Sequence, residues 1–560
     1  MDVNNSKNDP QASGSFRSPV EALCHWAKKT PDRIFLSQPV EGGRREYSFA
    51  ECEDVCRRMA SALLEIGLGP GDRVAILAKN CAEWFLADWA IQIAGMVPVP
   101  IYPTAGPGTI SYVIEHSEAR AVFVGPLDGW EKQEPGLDPD ITRIAMPYPT
   151  MSCQHQWQDL VEAHAPVARL HTPDDKGLLS ILYTSGSTGK PKGVMLSSAA
   201  YRYACQTTVD TLEMGAGDRL LSYLPLAHIT ERAVVEGPAV YAGAKVSFVE
   251  SLQTFPRDLK AANPTLFISV PRLWVKFQSG VHAKLPPRKL NFLLSLPVIG
   301  KRVAQKIRSQ LGFENCRMWG SGTAPISAET LQWYSRLGID ISEAWGMTEV
   351  TGIGCMNSPF RESCLGTIGL PFPGSEIKIS EVGELLFRGP GLFSGYYKQP
   401  DLTREVFTED GFFRTGDKAE WDESVGAFRI TGRVKDLFKS AKGKYVTPVP
   451  IESHLGANPL VEQVCVMGSG LPQPVAVVVL SEAAAAMTKA DIEAHLETSL
   501  NTINGLLESH ERMAALVVAK DEWSIENEML TPTMKIKRDV LEQKYGNLIA
   551  ETRSNRVNWE

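Results

Sequence analysis

The stretch RVAILAKNCAEWFLADWAIQIAGMVPVPIYPTAGPGTISYVIEHSEARAVFV, residues 73–124, decides the fold. Arg73–Leu77 is a short apolar run and reads as a strand. An aromatic-rich helical stretch, Ala82 to Ala94, follows it, and then a second strand-like run from Val97 to Tyr102. Ile110 to Ala119 reads as a helix and Ala121 to Val124 as a third strand. Strands that alternate with helices are joined by crossovers, which set the strands parallel and lay helices on the sheet faces. The expected fold class is therefore α/β, with a large N-terminal domain of mixed, mostly parallel, helix-flanked sheets.

Outward from this unit the texture changes. Between Glu384 and Ile430 short strands are broken by GPG, SG, DG and TG turns, which predicts a small β-rich subdomain over residues 384–431. A basic loop follows, and the rest of the chain has its own strand (Val475 to Leu480) and helices (Lys489 to Leu500, Arg538 to Leu548). This predicts an N-terminal domain over 19–431, a hinge at 432–436 and a small mobile α+β lid over 437–560. Residues 1–18 read as a disordered N-terminus. The 560 residues carry 57 basic and 65 acidic side chains, a net charge of −8, which excludes a dedicated nucleic-acid binder. An apolar fraction of 43% excludes a mostly disordered or coiled-coil chain. Met1 to Phe16 has no apolar core of a secretory leader, no window reaches about 18 uninterrupted apolar residues, and the ten cysteines form no CxxC pair. Reduced thiols and a cytoplasmic location are expected.

Chemistry concentrates in LLSILYTSGSTGKPKGVMLS, residues 178–197, where a strand runs into a loop with three glycines, four hydroxyls and two lysines. Such a loop bares backbone N–H groups and suits a polyphosphate. It is not a Walker A loop, because Gly189-Lys190 is followed by Pro191. Six further motifs follow in order: LPLAHITER (224–232), GSGTAP (320–325), EAWGMTE (343–349), FRTGD (413–417), GRVKD (432–436) and LTPTMKIKR (530–538). Together the seven resemble the signatures of the adenylate-forming (AMP-binding) superfamily, over about Pro19 to Leu548. LPLAHITER and LTPTMKIKR look most like long-chain fatty acyl-CoA synthetases.

The resemblance implies a reaction in which a fatty acid, ATP and CoA give acyl-CoA, AMP and pyrophosphate through an acyl-adenylate. It implies that Thr184 and Glu349 hold Mg²⁺, and that Thr184, Ser185, Gly186, Ser187, Thr188, Gly189 and Lys192 meet the phosphates. Adenine is expected on Gly322, Thr323, Ala324, Pro325, Glu343, Ala344, Trp345, Gly346, Met347 and Thr348, with Trp345 stacking on the base. Asp417 and Arg433 are expected at the ribose, although an Asp after Thr-Gly is commonly a turn residue. His228 lies in an apolar run and reads either as a satisfied core histidine or, by resemblance, as a gate beside the carboxylate. Ile229 beside it offers no partner to a substrate ammonium, which favours an acid without an α-amine.

Lys535, with Lys537 and Arg538, reads as a cation in the first turn of a helix begun at Thr531, against the helix dipole, which fits a residue that serves an anion. The resemblance makes Lys535 the adenylation lysine and Lys435 the hinge. Lys439, Lys442, Gly443 and Lys444 are expected at CoA phosphates, or form an ordinary solvated basic loop. Two other functions stay open: a fatty acyl-AMP ligase that loads a carrier protein, and a non-catalytic nucleotide-binding relative. The first carries an insertion after the adenine motif that the Glu349 to Gly383 interval lacks. Finally, Leu259 to Phe313 holds ten Lys or Arg and no acid. It reads as a helical face with a substrate-tunnel wall, or as a peripheral contact with the anionic inner face of a membrane.

Overall fold

Residues 16–148, 153–184, 190–525, 527–531, 534–552 and 556–560 are described by the computed structural model. The 73–124 stretch forms the expected unit. Its strands Arg73–Leu77, Val97–Ile101 and Ala119–Val124 are parallel and continue to Thr142–Ala145 and His155–Gln156, with Arg73–Leu77 between Val97–Ile101 and Ala119–Val124. Helix Ala82–Ile93 is buried almost all round, with Trp84, Phe85 and Trp89 fully enclosed, which is why it reads as apolar on every face. The next helix starts at Pro107, where proline fits the first helical position. It ends at Ser117, and Glu118 in the left-handed region (φ 56°) turns the chain into the following strand.

Two more sheets complete the helix-flanked body. Arg219–Ser222, Lys245–Phe248 and Ile34–Val40 are parallel, and Gly43–Ser48 closes that sheet antiparallel. Leu266–Ser269, Met318–Ser321 and Ile341–Trp345 are parallel, with Cys355–Met356 and Leu370–Pro371 antiparallel beyond them. An antiparallel sheet of Glu376–Ile379, Glu384–Arg388, Phe413–Asp422 and Ala427–Arg433 follows, starting one strand before Glu384. The C-terminal unit wraps its own core around Val461–Met467, Val475–Leu480, Ala515–Val518 and Val557–Trp559. Residues 1–15 of the expected disordered N-terminus lie outside the described residues. The last three of that segment are ordered: Phe16 packs edge-on against Tyr241, and Ser18 caps helix Pro19–Lys29. All ten cysteines are free, and Cys52 and Cys56 are core residues.

One buried cation joins the body. Arg232 donates to Asp88 Oδ1 at 2.8 Å, to Glu236 Oε2 at 3.0 Å and to Ser180 Oγ at 2.9 Å, and its guanidinium lies over the Trp84 and Tyr201 rings. It thereby ties helix Ala82–Ile93, the strand that enters the phosphate loop and the LPLAHITER segment. Burial pushes the Asp88 and Glu236 carboxyls up, and Asp88 raises Glu236 further. Removing one member of a buried charged group strands the others. Arg232→Ala is expected to destabilise the chain by about 3–5 kcal/mol in urea unfolding; a loss below about 1 kcal/mol would contradict the role given to this node.

Candidate active site

The site gathers at the C-terminal ends of parallel strands, where an α/β sheet leaves a crevice. Met318–Ser321 runs into Gly322-Thr323-Ala324-Pro325, and Ile341–Trp345 into Gly346-Met347-Thr348. Backbone spacing explains the small residues. A Cβ on Gly346 would lie 2.1 Å from the Gly352 carbonyl oxygen, and one on Gly322 would lie 3.2 Å from that of Ala344. Thr323 adopts φ 68°, a costly left-handed conformation for a β-branched residue.

Trp345 is nearly enclosed, and its indole N–H donates to Asp417 Oδ2 at 2.7 Å. Arg433 Nε stands 2.7 Å from the other oxygen, Oδ1. Asp417 and Arg433 are direct partners across antiparallel strands, so strand register alone brings FRTGD and GRVKD together. Three motifs scattered over about 90 residues thus meet on one carboxylate. Glu343 does something different: its buried carboxyl accepts the Gly366 N–H at 2.6 Å, and burial raises its pKa to about 8.

Glu349 sits in the single turn Thr348–Val350 and is buried. Tyr396 Oη donates to its Oε1 at 2.9 Å, and Lys192 Nζ lies 5.3 Å from the centre of the Tyr396 ring. The pairing of Gly395–Tyr396 with the strand Lys192–Ser197 places these groups together. Thr184 is the cross-strand partner of Lys192 at the mouth of the phosphate loop. Ser185, Gly186, Ser187, Thr188 and Gly189 lie outside the described residues. Burial holds the Glu349 carboxyl above its ordinary range, opposed by Tyr396, Arg433 and Lys192. Tyr396 was not foreseen; the only signal for it is a Gly-Tyr-Tyr run after a turn, which by itself marks nothing.

Lys535 arrives from the C-terminal unit. Its side chain is exposed. Desolvation by the surrounding protein lowers its pKa first, the Arg433 cation lowers it further, and Asp417 and Glu349 raise it. His228 feels the same ammonium: burial and then Lys535 push its pKa down to about 3. His228 Nδ1 accepts the Thr230 N–H at 3.2 Å and caps the turn Ile229–Glu231. His228, Glu349, Asp417, Arg433 and Lys535, spread over about 300 residues, therefore share one electrostatic environment.

The expected helix start at Thr531 is not what positions Lys535. Thr531 N–H donates to the Lys535 carbonyl at 2.7 Å, Lys535 N–H donates to Thr531 Oγ1 at 3.1 Å, and Met534 has φ 61°. Lys535 thus closes a tight turn, and the helix begins only at Arg538. Arg538 is absorbed by structure: it donates to Glu452 at 2.8 Å and to the Val466 carbonyl at 2.6 Å. Lys435 is exposed in the turn Val434–Asp436 directly after Arg433. Lys439, Gly443 and Lys444, with Lys442, form the tip of the hairpin Phe438–Lys439/Tyr445–Val446, with the three lysines exposed. Among the described residues no group of three or more His, Cys, Asp or Glu side chains is placed to hold a metal, and no helix is long and apolar enough to cross a membrane.

The family profile described as AMP-binding enzyme matches residues 23–397, and that described as AMP-binding enzyme C-terminal domain matches 435–556. Long-chain-fatty-acid–CoA ligase FadD15 of Mycobacterium bovis is 30% identical over 96% of this chain and 97% of its own. Long-chain-fatty-acid–CoA ligase 5 of Rattus norvegicus is 30% identical over 88% and 82%, respectively. The adenylation domain of a carboxylate reductase from Mycobacterium chelonae shares the fold, with a TM-score of 0.83 at 23% identity over 97% of this chain and 93% of that one. The chain belongs to the AMP-binding family of adenylate-forming enzymes.

Two expectations follow from the geometry. With a pKa of about 3, His228 is neutral, and ¹⁵N NMR of its ring should show no titration above about pH 5; titration near the ordinary imidazole value would contradict the buried placement. Trp345→Phe removes one of two donors from Asp417 and is expected to weaken AMP binding about tenfold by calorimetry. An unchanged affinity would mean that the indole N–H does not position Asp417 for the nucleotide.

Proposed function

We propose that the enzyme activates a long-chain fatty acid with ATP and then transfers the acyl group to CoA. The observation that carries this reading is the delivery of Lys535 into the cleft that holds Glu349, Asp417 and Arg433. Attack of a carboxylate on the α-phosphate joins two anions, so a desolvated ammonium between them lowers the barrier as charge builds. In this mechanism Lys535 bridges the carboxylate and the α-phosphate. Asp417 and Arg433 hold the ribose. Trp345 and the 322–325 and 343–348 turns hold adenine, while Thr184 to Gly189 with Lys192 take the β- and γ-phosphates. Neutral His228 acts as a gate beside the carboxylate and moves no proton.

Glu349 and Thr184 are hard oxygen donors at the mouth of the phosphate loop and fit Mg²⁺, which takes few protein ligands and completes its shell with phosphate and water. When bound, Mg²⁺ neutralises phosphate charge; Tyr396 fixes the rotamer of Glu349 by donating to Oε1. In the second step residues 437–560 turn as a lid about Lys435, withdraw Lys535, and bring Lys439, Lys442, Gly443 and Lys444 toward the CoA phosphates. Support for a fatty acid comes from the similarity to long-chain-fatty-acid–CoA ligases and from buried, apolar Ile229 beside His228.

Incubation with ATP and a fatty-acid panel, with and without CoA, tests the reading. Acyl-CoA with AMP and pyrophosphate is expected. Adenylate that never reaches CoA would indicate transfer to a carrier protein, and no pyrophosphate release would refute catalysis. Lys535→Met is expected to slow adenylate formation by about 10²–10³-fold while acyl-AMP added from outside is still converted to thioester. Equal loss of both half-reactions would refute the role of Lys535.

A further inference from the structure

The acid-free stretch from Leu259 to Phe313 includes three helices after the strand Leu266–Ser269: Pro271–Lys284, Pro287–Ser295 and Pro297–Leu311. The last two pack on each other through a tight joint. Leu296 N–H donates to the Leu293 carbonyl, and Gly300 N–H donates to the Leu296 carbonyl. A Cβ on Gly300 would come within 2.6 Å of the Leu294 carbonyl oxygen, so the close approach needs glycine. Leu290, Ala304 and Ile307 point into the core. At the joint, on the outer side, Phe292, Val298 and Ile299 are 65%, 66% and 47% exposed. Large apolar side chains grouped in this way on a surface mark a contact.

Their neighbours are cationic. Arg288 and Lys289 precede Phe292 by one helical turn, and Lys301 and Arg302 follow Val298 by one turn, so each pair shares a face with its apolar residue. Lys284, Arg288, Lys289, Lys301, Arg302 and Lys306 are exposed, and among the described residues none of the six is in an ion pair. Two other cations of the stretch are occupied: Arg272 pairs with Glu462, and Arg308 donates to the Leu337 carbonyl. An apolar tip inside a ring of free cations matches the depth profile of an acidic bilayer, with hydrocarbon within and phosphate outside. A nucleic-acid backbone answers the cations and leaves the apolar tip unused.

We propose that the joint between helices Pro287–Ser295 and Pro297–Leu311 docks the protein on an anionic lipid surface, with Phe292, Val298 and Ile299 in the acyl boundary and the six cations at the headgroups. Helix Pro271–Lys284 shares the core beneath the patch with Leu290 and Ala304, and its Trp274 indole N–H donates to the carbonyl of Gly320 at 3.3 Å, on the strand that enters the GSGTAP turn.

The test is co-sedimentation of the full chain with phosphatidylglycerol–phosphatidylcholine vesicles and with pure phosphatidylcholine vesicles, at low and high salt. Binding at least about tenfold stronger to the acidic vesicles, and lost at high salt, is expected. Two double variants, Phe292→Ser with Val298→Ser and Lys289→Glu with Arg302→Glu, should each reduce vesicle binding by about tenfold or more without moving the thermal midpoint. Absence of binding, equal binding to neutral vesicles, or variants that bind like the parent would overturn the proposal. So would a dimer that dissociates in the Phe292 variant while vesicles stay unbound, since the patch would then join two copies of the chain. The readout needs no turnover, so it stands or falls separately from the proposed reaction.

Discussion

Arg232 is the constraint on which the active-site body rests. It lies where a helix of the first parallel sheet, the strand entering the phosphate loop and the LPLAHITER segment converge. A guanidinium so buried is tolerable only because its donors are matched by two carboxylates, a hydroxyl and two aromatic faces. The match fixes three elements relative to one another more sharply than apolar packing does, because hydrogen-bond direction is specified as well as volume. Thr184 at one end and His228 at the other inherit their positions from this node.

The cleft is the reverse case. Asp417 accepts from Trp345 on one oxygen and pairs with Arg433 on the other, with acceptor capacity left on each, and Glu349 is oriented by Tyr396, whereas among the described residues the Lys535 ammonium has only electrostatic company. Arg433 lowers the pKa of the exposed Lys535 ammonium while Asp417 and Glu349 raise it, so an anionic substrate adds a favourable partner. This ammonium is carried by the smaller C-terminal unit. That placement suits a lid that closes on anions and leaves when they have reacted.

The parallel body was legible because its strands are short apolar runs that alternate with helical stretches, as in residues 73–124. The strand order was not, since Arg73–Leu77 lies between two later strands and only packing decides that. Residue types in the seven motifs pointed to an anion-handling cleft. The bonds inside it did not show: Trp345 and Asp417 are 72 residues apart, and Arg232 and Asp88 are 144 apart. Tyr396 carried no recognisable signal. The Thr531 segment misled because threonine before a cationic run resembles a helix cap, whereas Met534 in the left-handed region and the Thr531–Lys535 bonds make a turn of it. The acid-free stretch from Leu259 to Phe313 stood out in the sequence as a helical face or a membrane contact, but the outward placement of Phe292 and Val298 did not, since an apolar run does not reveal which of its members face outward.

The central claim is that a carboxylate oxygen attacks the α-phosphate of ATP beside Lys535. Oxygen-isotope transfer tests it most directly. With a fatty acid labelled by ¹⁸O in its carboxyl group, mass spectrometry of the products should find a single labelled oxygen in AMP and none in pyrophosphate. Unlabelled AMP formed alongside acyl-CoA, or label in the pyrophosphate, would contradict the account.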